Sequence, residues 1–132
     1  MKLQFLSADY VITLHAKLIR RWGGHEGGGH RGAEYEGVEA AVQAVKNSYY
    51  DSVEELAAAY AVYIVQGHVF MDGNKRAGGA AMMIFLDKNG RKTNISPRAL
   101  ANAMLELQVR AETGQRTDHL IGWLANLIST KN

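Results

Sequence analysis

The stretch His68-Val69-Phe70-Met71-Asp72-Gly73-Asn74-Lys75-Arg76 gathers an imidazole, a carboxylate, a turn glycine, an amide and two cations. A hydroxyl attacking phosphorus must lose its proton, and imidazole is a good acceptor near neutral pH, so His68 is the candidate general base. The bland alternative is a histidine that ends a helix and bonds a backbone carbonyl. Asp72 is the candidate Mg²⁺ ligand, because Mg²⁺ is commonly held by one or two carboxylates plus substrate phosphates. Its alternative role is a helix N-cap. Gly73 and Asn74 turn the chain into a helix, and successive N–H groups there can form an anion nest. Asn74 either orients a phosphate through its amide or caps. Lys75 and Arg76 place positive charge beside that nest, where the alternative is an ordinary surface pair. A helical pattern from Ala77 to Lys88 follows at once, and its N-terminus adds free N–H groups and a partial positive charge. Base, carboxylate and phosphate seat in one loop point to nucleotide chemistry on a hydroxyl.

The elements that hold this loop all read as helices. Ser7 caps a helix to about Arg21, with Tyr10, Leu14, Lys17, Leu18 and Arg21 at helical spacing and Gly23 as its stop. The glycine-rich stretch Gly23 to Gly37 disfavours regular helix. Val38 to Tyr49 is a second helix, with Val38, Ala41, Val42 and Val45 on one face. Ser52-Val53-Glu54-Glu55 is a capping box opening a third, which ends near Gly67 and turns Leu56, Ala59, Tyr60, Tyr63 and Ile64 inward. The helix from about Asn74 to Asn89 starts with Ala77, Gly78, Gly79, Ala80 and Ala81, a thin face that allows close approach, so it is expected to be central. Ser96 and Pro97 open a helix to about Glu112, and Thr117 is expected to cap a last one carrying Leu120, Trp123, Leu124, Leu127 and Ile128. The fold class is therefore all-α, a single-domain helical bundle over residues 1–132.

His25, Glu26 and His30 do not form a metal site on this reading. The second histidine is five residues on, unlike the zinc-protease pattern, and the intervening glycines deny it a helix. The chain lacks cysteine, which fits a reducing cytosol, and its first residues lack the apolar run of a signal peptide. No stretch is long and uncharged enough for a membrane span. A net charge of +2 with scattered cations is poor evidence for nucleic-acid binding. A cytoplasmic protein without membrane or nucleic-acid contacts is expected.

The loop resembles the signature of the Fic/Doc superfamily, His-x-Phe-x-(Asp/Glu)-(Gly/Ala)-Asn-(Gly/Lys)-Arg, and Lys75 makes it similar to the Doc, or death-on-curing, branch. The resemblance extends to Phe5-Leu6-Ser7 through Trp22-Gly23-Gly24, to Phe85-Leu86-Asp87-Lys88-Asn89-Gly90 and to Ala111-Glu112-Thr113-Gly114. It implies a Fic-type helical bundle with the loop between two central helices, Phe70 as a buried anchor, and a flap that holds a target peptide in extended form, here placed at Arg31 to Gly37. It also implies ATP and Mg²⁺, with Asp72 at the metal, Gly73, Asn74, Lys75 and Arg76 at the nucleotide and His68 catalytic.

Members that transfer AMP usually have Gly at the position of Lys75 and a second Arg at the position of Gly79. Both departures resemble Doc, whereas Gly73 is more similar to the AMP-transferring members. The resemblance thus implies a toxin of a toxin–antitoxin pair, a kinase moving the γ-phosphate of ATP to a Ser/Thr hydroxyl. By resemblance the target is elongation factor Tu, and the partner is a small antitoxin that folds into an apolar groove, on the thin Ala/Gly helix face or near Trp123. The alternatives are a Fic-type protein AMP-transferase and a non-catalytic fold that binds nucleotide or a partner.

Overall fold

The structure, a computed structural model, describes residues 2–25 and 32–129. They contain six helices and no strand: α1 Ala8–Trp22, α2 Gly32–Lys46, α3 Val53–Gln66, α4 Asn74–Lys88, α5 Pro97–Glu112 and α6 Thr117–Ile128. The fold is an all-α bundle, as the sequence predicts. α3 is buried nearly all round, from Val53 through Val65, because its alanines let neighbours approach on every side. α4 packs most extensively against α3 and also meets α1 and α5, so the two helices flanking the loop form the centre.

Several elements start where local chemistry places them. Ser7 accepts the Tyr10 N–H at 3.1 Å, and Ser96 accepts the Ala99 N–H at 3.1 Å with Pro97 in the first turn. Ser52 accepts the Glu55 N–H at 3.0 Å, and its hydroxyl donates to the Glu55 carboxylate. The N-terminal segment is pinned to α3 by Tyr60. Its hydroxyl accepts the Leu6 N–H at 2.9 Å, and burial pushes the phenol up to about 12.

The structure departs from the sequence reading, or goes beyond it, at three elements. Helix α2 starts at Gly32, so the segment from Gly32 to Gly37 is helical and is not an extended flap; Arg31 lies outside the described residues. One hydrogen bond ties this early turn to the loop: the Glu34 carboxylate accepts the Met71 N–H at 2.9 Å. Second, the buried face of α1, which helical spacing left open, is Val11, Ile12, His15 and Ile19, whereas Tyr10, Lys17 and Arg21 are exposed. Third, Arg116 occupies the N-cap of α6, and Thr117 instead donates its hydroxyl to the Gln66 side chain at 2.7 Å.

Of the two places where an apolar groove is expected, the thin face of α4 is filled. Gly78 faces Ala61 and Val65 of α3, and Gly79 faces Met104 of α5, so the thin face of α4 is spent on internal packing. Trp123 is half-buried with the Arg110 guanidinium 4.5 Å over its ring. No described helix is long and apolar enough to cross a membrane.

Candidate active site

The loop between α3 and α4 forms one wall of a cleft of about 270 Å³ lined by Val65, His68, Met71, Asp72, Gly73, Asn74, Lys75, Arg76 and Gln108. All six candidate site residues border it.

His68 follows the Gly67 cap of α3 at φ +47, a left-handed backbone that few non-glycine residues adopt. Its N–H bonds back to Val65, which fixes the backbone, while the residue stays exposed and its ring makes no hydrogen bond to a described residue. The helix-ending, carbonyl-bonded histidine is therefore not what this chain has. Phe70 is buried at 3% exposure and anchors the loop.

What Phe70 is anchored to is a residue that the sequence did not single out. The buried His15 ring of α1 lies flat on Phe70, with centroids 3.7 Å apart and planes 2° from parallel. Its Nε2 is 2.7 Å from the backbone oxygen of Asp72, so Nε2 carries the proton and donates. The signal existed as a histidine three residues after Ile12 and four before Ile19, on the truly buried stripe of α1.

Asp72 is exposed, and both its oxygens face backbone donors. Oδ1 accepts the Gly73 N–H at 2.8 Å and Oδ2 accepts the His25 N–H at 3.1 Å. The His25 N–H and the Gly73 N–H hold its carboxyl below the usual range, with desolvation opposing them and the nearby Arg76 guanidinium adding to them. Each carboxylate oxygen has two lone pairs, so Asp72 keeps acceptor capacity toward the cleft. One exposed carboxylate beside the uncapped start of a helix is a donor of the kind Mg²⁺ takes when its remaining ligands are phosphate and water. Among the described residues no group of three or more His, Cys, Asp or Glu can enclose a metal; Glu26 and His30 lie outside them.

Gly73 is the N-cap of α4 at φ +81 and makes no side-chain cap, so the first-turn N–H groups of α4 have no capping side chain. A side chain there would meet Ile19 Cδ1 at 2.9 Å and His15 Nε2 at 3.4 Å. This backbone and this packing account for the glycine. Asn74 spends its amide on the loop: Oδ1 accepts the Phe70 N–H at 2.9 Å, and Nδ2 donates to the Phe70 carbonyl at 2.8 Å. It staples the turn rather than reaching for a ligand. Arg76 donates from Nη1 to the Gly23 carbonyl at 2.8 Å, and Lys75 donates from Nζ to Gln108 Oε1 at 2.6 Å. The cations are thus tied to opposite neighbours, the turn after α1 and the helix α5.

Gly24 completes the turn. At φ +124 a side chain there would lie 2.7 Å from Asp72 Oδ2, so only glycine lets residues 23–25 close over the carboxylate. Position 79, one helical turn beyond Lys75, opens toward α5, where a Cβ would sit 3.2 Å from Met104 Cγ. An arginine at 79 would have to displace Met104, so the space such a side chain needs is already filled.

The cleft therefore combines an unengaged imidazole, an ionised carboxylate and an uncapped helix N-terminus. The model of the Fic/DOC family matches residues 5–86. The chain belongs to this family. Over 114 residues, 86% of each chain, it is also 32% identical to the protein kinase doc of Escherichia phage P1. The family match spans α1 to α4 and so takes in the Fic/DOC loop, together with the His15 and Gly24 contacts that shape it.

Proposed function

We propose that this Fic/DOC protein is a Doc-type protein kinase, the toxin of a toxin–antitoxin pair, which moves the γ-phosphate of MgATP to a Ser/Thr hydroxyl of a protein. The observation that carries the proposal is the exposed, unbonded His68 imidazole on the same cleft as Asp72 and the uncapped start of α4. His68 accepts the proton of the target hydroxyl. That oxygen bonds to the γ-phosphorus as the bond to the bridging oxygen breaks, and ADP leaves. The N–H groups opening α4, with Lys75 and Arg76, hold phosphate oxygens. Asp72 would hold Mg²⁺, which supplies charge neutralisation to the phosphates.

Two features support phosphate transfer over AMP transfer. Lys75 places its ammonium in the cleft, and Met104 closes the space an arginine at 79 would use to hold the triphosphate tail. Gly73, which resembles the AMP-transferring members, is explained by its positive φ and its closeness to Ile19 and His15, so it does not bear on which phosphate is attacked. The similarity to a relative named protein kinase doc points the same way. By the same resemblance the target is a threonine of elongation factor Tu, translation is what stops, the protein acts in the cytoplasm, and a small acidic antitoxin restrains it. With the thin face of α4 buried, the region around half-buried Trp123 is the expected surface that is left for it.

The deciding test is incubation with a cell lysate and MgATP labelled at either the α or the γ phosphate. γ-label on protein is expected. α-label would establish AMP transfer instead, and nucleotide binding without transfer would establish a non-catalytic fold.

A further inference from the structure

Helices α4 and α5 meet in a two-step ladder. Lys75 reaches Gln108, and one turn further along α4 Gly79 receives Met104, which lies one turn back along α5. The lower rung is pure packing, since Met104 is buried. The upper rung is polar, half-buried and borders the cleft, since both Lys75 and Gln108 line it. α5 thus supplies a wall residue to a site otherwise built from the end of α3, the loop after it and the start of α4.

The amide of Gln108 is held in one orientation. Oε1 accepts from the Lys75 ammonium at 2.6 Å, and Nε2 donates to Glu112 Oε2 at 3.3 Å, one turn on along α5. The flipped amide would set NH₂ against an ammonium and a carbonyl oxygen against a carboxylate, two repulsive contacts. Glu112 therefore orients Gln108, and Gln108 presents a fixed oxygen to Lys75.

We propose that Gln108 is the positioning residue for the phosphate-binding ammonium of Lys75, and so a determinant of triphosphate recognition by this cleft. The inference rests on the reading of Lys75 as a phosphate ligand. A lysine is a point charge on a flexible stem, and any ordering must be supplied from outside. Gln108 supplies it before the ligand arrives, which lowers the ordering cost of binding. Because the acceptor is neutral, the charge stays uncompensated: a carboxylate at the same place would form an ion pair and cancel it toward an anion. Gln108 fixes where the charge sits without reducing it.

The experiment is a double-mutant cycle on the full chain, with magnesium tripolyphosphate and MgATP as separate calorimetric probes. Gln108→Met keeps the length and apolar stem and removes the acceptor. It is expected to weaken both probes by about threefold to tenfold, the range for freeing one rotamer-rich side chain. In a Lys75→Met background the same change is expected to have no further effect, because nothing remains to be positioned. Gln108→Glu, which keeps the hydrogen bond, is expected to bind both probes more weakly than wild type. A merely structural role for Gln108 predicts additive losses and a wild-type Gln108→Glu. Additive losses, or a Gln108→Met variant that binds as wild type, would overturn the inference while leaving the kinase reading intact. α-label on the target, with a non-additive cycle, would overturn the kinase reading and leave the Gln108 assignment standing. A wild type that binds neither probe would overturn both. Thermal unfolding of each variant separates loss of fold from loss of binding.

Discussion

His15 and Phe70 are stacked face to face, 3.7 Å between ring centroids, and through this pair helix α1 fixes the height of the loop that carries Asp72. Fifty-five residues separate the two in the chain, yet they act as one part: Phe70 gives His15 a flat surface, and His15 donates to the backbone of the residue two places after Phe70. The Asp72 carbonyl is thus held from below while its carboxylate, held by the Gly73 and His25 N–H groups, borders the cleft.

Two substitutions separate the stack from the hydrogen bond. His15→Phe keeps an aromatic ring on Phe70 and loses the donor to Asp72. His15→Leu loses both. Net loss of one hydrogen bond is expected to cost about 1 kcal/mol, and loss of the ring pair about another 1 kcal/mol, by urea denaturation. Both variants should show weaker MgATP binding, with His15→Leu the weaker. A His15→Leu variant as stable and as competent as wild type would remove His15 from the loop's support.

His15 also marks where sequence reasoning stopped. The all-α class and five of the six helix starts to within a residue were legible, because caps such as Ser7, Ser52 and Ser96 are local signals, and the family resemblance supplied the buried anchor Phe70. The buried face of α1 was not. Tyr10, Leu14, Lys17, Leu18 and Arg21 and the true set Val11, Ile12, His15 and Ile19 both follow helical spacing, and periodicity alone does not say which one meets the core. With the face left open, His15 did not stand out. Helix α2 was misread in a different way: glycine propensity argued against a helix at residues 32–37, and the tertiary setting, in which Glu34 bonds the loop at Met71, overrode it. Gln108 was invisible for a third reason. Its partner Lys75 lies thirty-three residues earlier, and only the packing of α5 on α4 joins them.

Asp72 gives a pH-dependent signal with a definite sign. Its folded pKa is lowered from the ordinary 3.8, so the ionised side chain stabilises the loop above that value and this contribution is lost as pH falls through the lower, folded pKa. The stability difference between wild type and Asp72→Asn should therefore be constant from neutral pH down to about pH 5 and shrink below it. A difference that already collapses between about pH 7 and pH 5 would contradict the two backbone N–H bonds. It also follows that an acid limb in the transfer reaction above about pH 5 reports a group other than Asp72.

Gly73 and Gly90 form a matched pair for measuring what the loop glycine does. Both have positive φ, +81 and +73, but a Cβ on Gly90 meets nothing within 4 Å, whereas one on Gly73 meets Ile19 and His15. Alanine at either position is expected to cost about 1–2 kcal/mol for the left-handed backbone. Gly73→Ala should lose MgATP binding as well, since it pushes on His15 and tilts the start of α4, and Gly90→Ala should not. Equal binding by the two variants would mean that the space around Gly73 has no part in the site.

His68→Ala is the sharpest separation of chemistry from structure. His68 is exposed, its ring bonds to no described residue, and its backbone N–H to Val65 survives the change, so no packing is lost. The one structural effect is on the left-handed backbone at φ +47, where alanine and histidine both pay a steric cost. Stability is therefore expected within about 1 kcal/mol of wild type. MgATP binding should persist through Asp72, the start of α4, Lys75 and Arg76, because none of these depends on the imidazole. Transfer to protein should fall by a factor of about 100 or more, the usual scale for losing a general base, and growth arrest should disappear with it. A folded His68→Ala protein that still labels its target or still arrests growth would show that the proton goes elsewhere. His68 would then be a bystander in the cleft.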